Sequence, residues 1–209
     1  MTRSGAVPPT VTEAANFAGP ASQVAAVLEL ARRDSELFLH GIGVGKLAER
    51  IALAFGVGQS YASRIRLAGV LHDIGKLAVP RAVLNKSGPL TETERRIVER
   101  HSSIGASMVQ IGGLRAEARW IRHHHERIDG FGYPDRLAGH EIPLPSRIIL
   151  VADAFDALTS DLPYQAARAP VEALAELVAQ SDRQFDSYCV AALERALADG
   201  AAEPGSADF

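Results

Sequence analysis

His72 and Asp73 stand side by side in LAGVLHDIGKLAVP, residues 67–80. An imidazole gives a nitrogen ligand and a carboxylate has two oxygens that can bridge two ions, so the pair is suited to holding metal. Leu67, Ala68, Val70, Leu71, Ile74 and Leu77 leave little polar face around it. The stretch reads as a buried helix that Pro80 ends. Ionisable groups in so apolar a setting must be paired or ligated, because burying them bare is costly. Taken as a bare dipeptide, the pair also fits a structural hydrogen bond. The positions of the other histidines shift the balance toward metal.

The chain has seven histidines, at positions 40, 72, 101, 123, 124, 125 and 140. Glu36 and His40, four residues apart, share one helix face. His101 falls inside a helix expected over 91–111, which the capping box Thr91-Glu92-Thr93-Glu94 opens and Gly112-Gly113 stops. His124 and His125 lie where a helix over 115–125 meets a long Gly- and Pro-rich loop. Consecutive positions on a helix point about 100° apart. The two therefore serve one cluster from a helix end, or serve different ions. Asp153 and Asp156 sit in the apolar helix RIILVADAFDALTSD, for which Ser146 is the expected cap. Helical bundles build metal sites in this manner, from inward-facing side chains on several helices. His123 reads as outside the cluster and His140 as solvated. Lys76, one turn after His72, faces the same side. Asp156 reads as a support for a ligand histidine or as a hydrogen bond within its own helix, and it is counted among the candidate substrate contacts.

Around this cluster, 209 residues that are 47% hydrophobic and 22% charged make a globular chain with ample core. No segment of useful length alternates with period two, so the fold is expected to be all-α. Residues 1–21 read as a flexible tail, 22–200 as the domain and 201–209 as a frayed end. A net charge of −3 argues against binding nucleic-acid polymers or an anionic membrane. No apolar run reaches the roughly 18 residues that a membrane span needs. The N-terminal stretch lacks the pattern of a signal peptide. The single Cys189 excludes an internal disulfide and suits a reducing compartment. The expected location is the cytoplasm. GIGVGK, residues 41–46, is not a phosphate loop, because His40 stands where its first Gly belongs and Leu47 where Ser or Thr follows the Lys. Its glycines read as a tightly packed helix, at a cost of roughly 1 kcal/mol each relative to Ala.

The chain resembles the HD-GYP domain, a subgroup of the HD phosphohydrolases, over roughly residues 30–195. The resemblance rests on HDIGKLAVP (72–80), the spacing to His101, HHERIDGFGYP (124–134), IPLPSRIILVADAFDALTSD (142–161) and QFD (184–186). It implies an HD-type bundle of about seven helices with a long GYP loop. It implies metal-dependent hydrolysis of cyclic di-GMP to linear pGpG, to GMP, or to both. The implied ligands are His40, His72, Asp73, His101, His124, His125 and Asp153, with Asp73 bridging and taking the central catalytic role. Glu36 falls where members with a third metal carry a carboxylate, and with His40, one turn away, it is expected to complete a third metal site. Two or three divalent transition metals, iron or manganese, are the implied cofactors. Lys76 would lie beside the scissile phosphate and Tyr133 would touch substrate, while Asp129 and Gly130 shape the loop. The alternatives are a hydrolase of another cyclic dinucleotide or nucleotide, and a catalytically weak metal- and nucleotide-binding signalling module that acts through a regulatory protein partner. Two departures bear on substrate. Leu162 and Gln165 replace basic residues in SDLPYQ, and Gly43 stands where an Arg is common. Arg122, Arg127 and Arg168 are the candidate substitutes for that lost phosphate grip.

Overall fold

The computed structural model describes residues 20–161 and 166–201. Its first helices are α1 (Pro20–Ala31) and α2 (Ser35–Phe55). The Asp34 carboxylate starts α2 by accepting the Leu37 N–H at 3.2 Å, which satisfies a donor the helix cannot pair itself. Gly56 ends it at φ 103°, its N–H closing on the Ala52 and Leu53 carbonyls. Next come α3 (Gln59–Leu71), a 3-10 turn (Ile74–Ala78) and the short α4 (Arg81–Leu84). They are followed by α5 (Glu92–Glu99), α6 (His101–Ile111) and α7 (Arg115–Arg122). After the GYP loop come α8 (Leu144–Thr159), α9 (Pro170–Ala179) and α10 (Ser187–Ala201). The fold is all-α, as expected; among the described residues there is no strand, only an isolated bridge between Ser181 and Phe185. The expected tails and the departures Leu162 and Gln165 lie, apart from the tails' edges, outside the described residues.

Helix α2 packs against α3, α8 and α10 and so sits at the centre of the bundle. Ile51, Ile65, Leu71, Ile121, Ile148, Ile149, Leu177 and Leu193 are fully buried around it. Each such side chain contributes about 1.5–3 kcal/mol through removal from water. The glycines of GIGVGK explain themselves here. A methyl group on Gly41 would collide with the Val70 carbonyl, and one on Gly45 would lie 2.7 Å from the Arg66 carbonyl oxygen. Across the contact, a methyl on Gly69 would lie 2.8 Å from the Gly45 Cα. Backbone therefore meets backbone between α2 and α3, and the His40 and His72 rings come to 5.3 Å. No helix among the described residues is long and apolar enough to cross a membrane.

Three expected elements differ. The helix carrying His72 stops at Leu71; His72 caps it, and Asp73 opens a 3-10 turn rather than continuing to Pro80. The cause is Gly75, pressed so closely onto α6 that a Cβ there would collide with the His101 carbonyl. The helix expected over 91–111 opens with its capping box but breaks at Arg100. There the Ser102 hydroxyl bonds the Glu99 carbonyl at 3.1 Å and His101 Nδ1 bonds that of Val98 at 2.6 Å. Both side chains compete with the backbone for helical acceptors. Ser146 does not cap α8, which starts after Pro143; its buried hydroxyl donates to the Trp120 carbonyl at 2.8 Å.

Gly75→Ala tests the close contact. Overpacking against backbone costs about 1–3 kcal/mol, which lowers the Tm of a chain this size by roughly 2–12 °C. A thermal melt should show that loss, while Gly88→Ala, which meets nothing within 4 Å, should melt like the parent.

Candidate metal centre

Three of the histidines are oriented by their own turns. His72 Nδ1 bonds the Gly69 carbonyl at 2.7 Å, His101 Nδ1 that of Val98 at 2.6 Å, and His124 Nδ1 that of Ile121 at 2.6 Å. A carbonyl only accepts, so each Nδ1 carries a proton and each Nε2 is left to face the cluster, where its lone pair would serve an ion. Each of these histidines begins or follows a helix end, where a carbonyl three residues back is within reach. All three Nε2 atoms face Asp73. His72 Nε2 lies 3.3 Å from Asp73 Oδ2, and His101 Nε2 lies 3.1 Å from Oδ1 and 3.4 Å from His124 Nε2. From α2 and α8, His40 Nε2 and Asp153 Oδ1 meet at 3.1 Å, and Asp153 Oδ1 is 3.6 Å from His72 Nε2.

These atoms form two ligand groups that share one carboxylate. Asp73, His101, His124 and His125 make one, and His40, His72 and Asp73 the other, with the atoms of each group within 4.8 Å of one another. Asp153 borders the second through its contacts with His40 and His72. The donor set fits divalent transition metals, for which imidazole and carboxylate are suitable partners. A second observation supports the fit: His72 Nε2 and Asp73 Oδ1 are buried without a hydrogen-bond partner. His101 Nε2 is near Asp73 Oδ1, but its proton is on Nδ1, bonded to the Val98 carbonyl. Buried polar atoms are normally satisfied, and an ion between them would satisfy both.

Charge is divided within the cluster. Burial would raise the Asp73 pKa, but His72 and Lys76 hold it well below the usual carboxylate range. Asp153 is likewise kept ionised, against burial, by His40 and His72. Burial opposes charge on those two imidazoles as well, yet the carboxylates raise His40 to about 9 and His72 to about 10. On the other side, burial and neighbouring imidazoles push His124 down, and burial takes His125 to about 3, so both are neutral donors. Lys76 Nζ lies 2.5 Å from Asp73 Oδ2; burial opposes its charge but Asp73 outweighs it and keeps the ammonium protonated.

Other expected residues fall as follows. Tyr133 stacks on His125, ring centroids 4.8 Å apart, with its pKa raised by burial and by Asp73, so it is a neutral donor at the rim. Glu36 is exposed and belongs to neither ligand group. Asp156, expected as a substrate contact or a support for a ligand histidine, accepts a hydrogen bond from His40 Nδ1 at 2.8 Å. His123 bonds Asp135 at 2.9 Å, away from the cluster, and His140 is exposed. The three candidate phosphate-gripping arginines are each committed to a carboxylate: Arg122 to Asp135, Arg127 to Asp129 and Arg168 to Glu176.

One structural residue escaped the sequence reading. Glu126 is buried directly after the ligand pair and accepts the Asp135 and Leu137 N–H groups at 2.7 and 3.1 Å. It folds the GYP loop back over its own start and so helps to hold Tyr133 on His125. Its only sequence signal was a carboxylate directly following a run of histidines. The same loop docks on the QFD segment, where Asp129 N–H donates to the Arg183 carbonyl at 2.9 Å and Arg127 to Gln184 at 3.2 Å. Asp186 ties that segment to α8 through Arg147 and accepts the first N–H groups of α10.

Comparison with known proteins shows the family. Residues 20–188 match the HD domain family, and the chain belongs to it. It is 41% identical over 185 residues to the cyclic di-GMP phosphodiesterase response regulator RpfG of Xanthomonas campestris, covering 85% of this chain and 47% of that protein. A cyclic di-GMP phosphodiesterase of Thermotoga maritima is 37% identical over 173 residues, covering 80% and 47%. A 3'3'-cGAMP-specific phosphodiesterase of Vibrio cholerae, number 3, is 38% identical over 159 residues, covering 76% and 35%. The chain thus spans about half, or less, of the length of these relatives. Among solved structures, a HDG"Y"P protein of Bdellovibrio bacteriovorus superposes with TM-score 0.64 at 21% identity, over 89% of this chain and 60% of that one. The HD domain of Listeria monocytogenes PgpH with cyclic-di-AMP gives 0.61 at 16%, over 84% and 95%. These likenesses show the fold.

Asp73 belongs to both groups, so Asp73→Ala should remove both ions. Metal analysis after loading should give about two ions per parent chain, as paired sites hold, and well under one in the variant, with far-UV circular dichroism still helical. A variant that keeps its metal refutes the shared-ligand role.

Proposed function

We propose that this chain is an HD-GYP-type phosphodiesterase domain that opens cyclic di-GMP to linear pGpG, GMP, or both. The observation that carries the reading is the two ligand groups joined at Asp73, with Lys76 and Tyr133 at their edge. The curated relatives named cyclic di-GMP phosphodiesterases, at 41% and 37% identity, support it. His40, His72, Asp73, His101, His124, His125 and Asp153 would hold two divalent ions, iron or manganese. The exposed position of Glu36 favours two ions over three. When bound, such ions lower the pKa of water and neutralise charge on a phosphoryl group. The chain's own groups do the rest. Lys76, kept protonated, puts positive charge where a non-bridging phosphate oxygen gains it. The Tyr133 hydroxyl, kept neutral, offers a hydrogen bond. The buried imidazoles exclude water from behind the cluster. A cytoplasmic site of action and a regulatory protein partner belong to this same reading.

A second substrate remains in view because of specific residues. Leu162 and Gln165 lack the charge of the basic residues they replace, and Arg122, Arg127 and Arg168 are occupied by carboxylates. A weaker phosphate grip suits discrimination by base contacts, and thus another cyclic dinucleotide.

Protein reconstituted anaerobically with ferrous iron or manganese should hydrolyse cyclic di-GMP, read by chromatography of pGpG and GMP. No turnover under those conditions sinks the assignment, and a clear preference for 3'3'-cGAMP or cyclic di-AMP moves it to the second reading. Lys76→Ala should lower kcat by about 10²–10³ at unchanged metal content. Equal loss of metal would instead make Lys76 a support for Asp73.

A further inference from the structure

His40 differs from the other oriented histidines of the centre. His72, His101 and His124 each anchor Nδ1 on a carbonyl three residues back in their own turn. His40 lies within α2, where the neighbouring carbonyls are engaged in the helix, so its Nδ1 needs a partner from elsewhere. That partner comes from α8, 116 residues away: Asp156 Oδ2 at 2.8 Å. A carboxylate only accepts, so Nδ1 carries a proton, and Nε2 faces Asp153 and Asp73, 3.1 and 4.0 Å off, where its lone pair would be free for an ion.

The Asp156 carboxylate lies where a side chain on residue 43 would crowd it. A Cβ on Gly43 would lie 2.8 Å from Asp156 Oδ1, 3.6 Å from Cγ and 3.8 Å from Oδ2. Gly41 and Gly45, on the opposite side of the same helix, face α3 backbone. Gly43 faces only the end of a side chain, so helix packing does not account for it.

We propose that Asp156 is a positioning residue for the ligand His40, and that Gly43 is the vacancy that lets it act. The pair sets the direction of the His40 lone pair and thereby the strength of the ion site built from His40, His72 and Asp73. This rests on the metal-centre reading above and deepens it. It also predicts an uncommon combination. Alanine is a better helix former than glycine, and the atom it would displace is mobile. Gly43→Ala should therefore leave the metal-free fold as stable as before, or more so, and still weaken metal binding.

The test measures manganese affinity by chelator competition, beside thermal melts of the metal-free forms, for four proteins: the parent, Gly43→Ala, Asp156→Ala and the double variant. Removing such an outer partner typically weakens metal affinity about 10–100-fold. Each single variant should show a loss of that size, and the double variant should lose no more than Asp156→Ala alone, because both changes act through one hydrogen bond. Asp156→Asn, whose carbonyl still accepts from Nδ1, should recover most of the affinity. Parent-like affinity in Gly43→Ala, or losses that add in the double variant, overturn the pairing. Parent-like affinity in Asp156→Ala overturns the positioning role. A parent chain that takes up no metal overturns the metal-centre reading itself, and this inference with it.

Discussion

A carboxylate with 3% of its surface exposed, Asp73, is the constraint on which the rest of the centre depends. An ionised group taken out of water must be compensated or give up its charge. Asp73 keeps its charge because Lys76, His72 and His101 surround it at 2.5–3.3 Å. Those partners come from three elements, and all must approach closely enough for Coulomb attraction to exceed desolvation. The geometry of α3, the 3-10 turn and α6 follows from that requirement. Asp73 still has an oxygen that no proton reaches, and the unpartnered nitrogen of His72 points into the same space. A cation between those two atoms would satisfy both.

Close approach is supplied by the absence of side chains. Gly41, Gly45 and Gly69 bring α2 onto α3 at backbone contact, and Gly75 does the same for the 3-10 turn on α6. Each glycine weakens its helix locally, by about 1 kcal/mol relative to alanine. What is gained is not apolar burial, since glycine offers little. It is the distance between ligands on different helices, which longer side chains would have set too large. In this sense GIGVGK shapes the candidate centre, by bringing α2 onto α3 and not by holding phosphate.

The segment after the ligand pair was expected as a long loop, and it is held along much of its length. Glu126, Asp129 and Arg127 pin it at its start, and the QFD segment receives it from below. Asp186 in turn braces α8 through Arg147, and α8 carries Asp153 and Asp156. The rim residue Tyr133 and the helix that carries Asp153 are thus linked through one set of hydrogen bonds, so that the mouth of the site and its wall are ordered together.

Much of this was legible from residue order. The HD pair in an apolar run, the histidine pair at a helix end, the Thr91 capping box and the lack of period-two alternation announced an all-α chain with a His/Asp cluster suited to metal, because those signals are local: they depend on neighbours within a turn or two. What the sequence left open depends on atoms far apart in the chain. Glu36 shares a face with His40, as spacing required, yet is exposed, because a shared face does not say what stands opposite. Asp156 could have served substrate, its own helix or a ligand, and only the packing of α8 on α2 gives it His40. The helix through His72 ends early because Gly75 meets a carbonyl of α6, a contact that helix periodicity does not encode. Residue types and spacing determined which atoms could hold a metal; the tertiary structure decided which of them face one another, because hydrogen bonds and ion pairs are selected by distances that only packing sets.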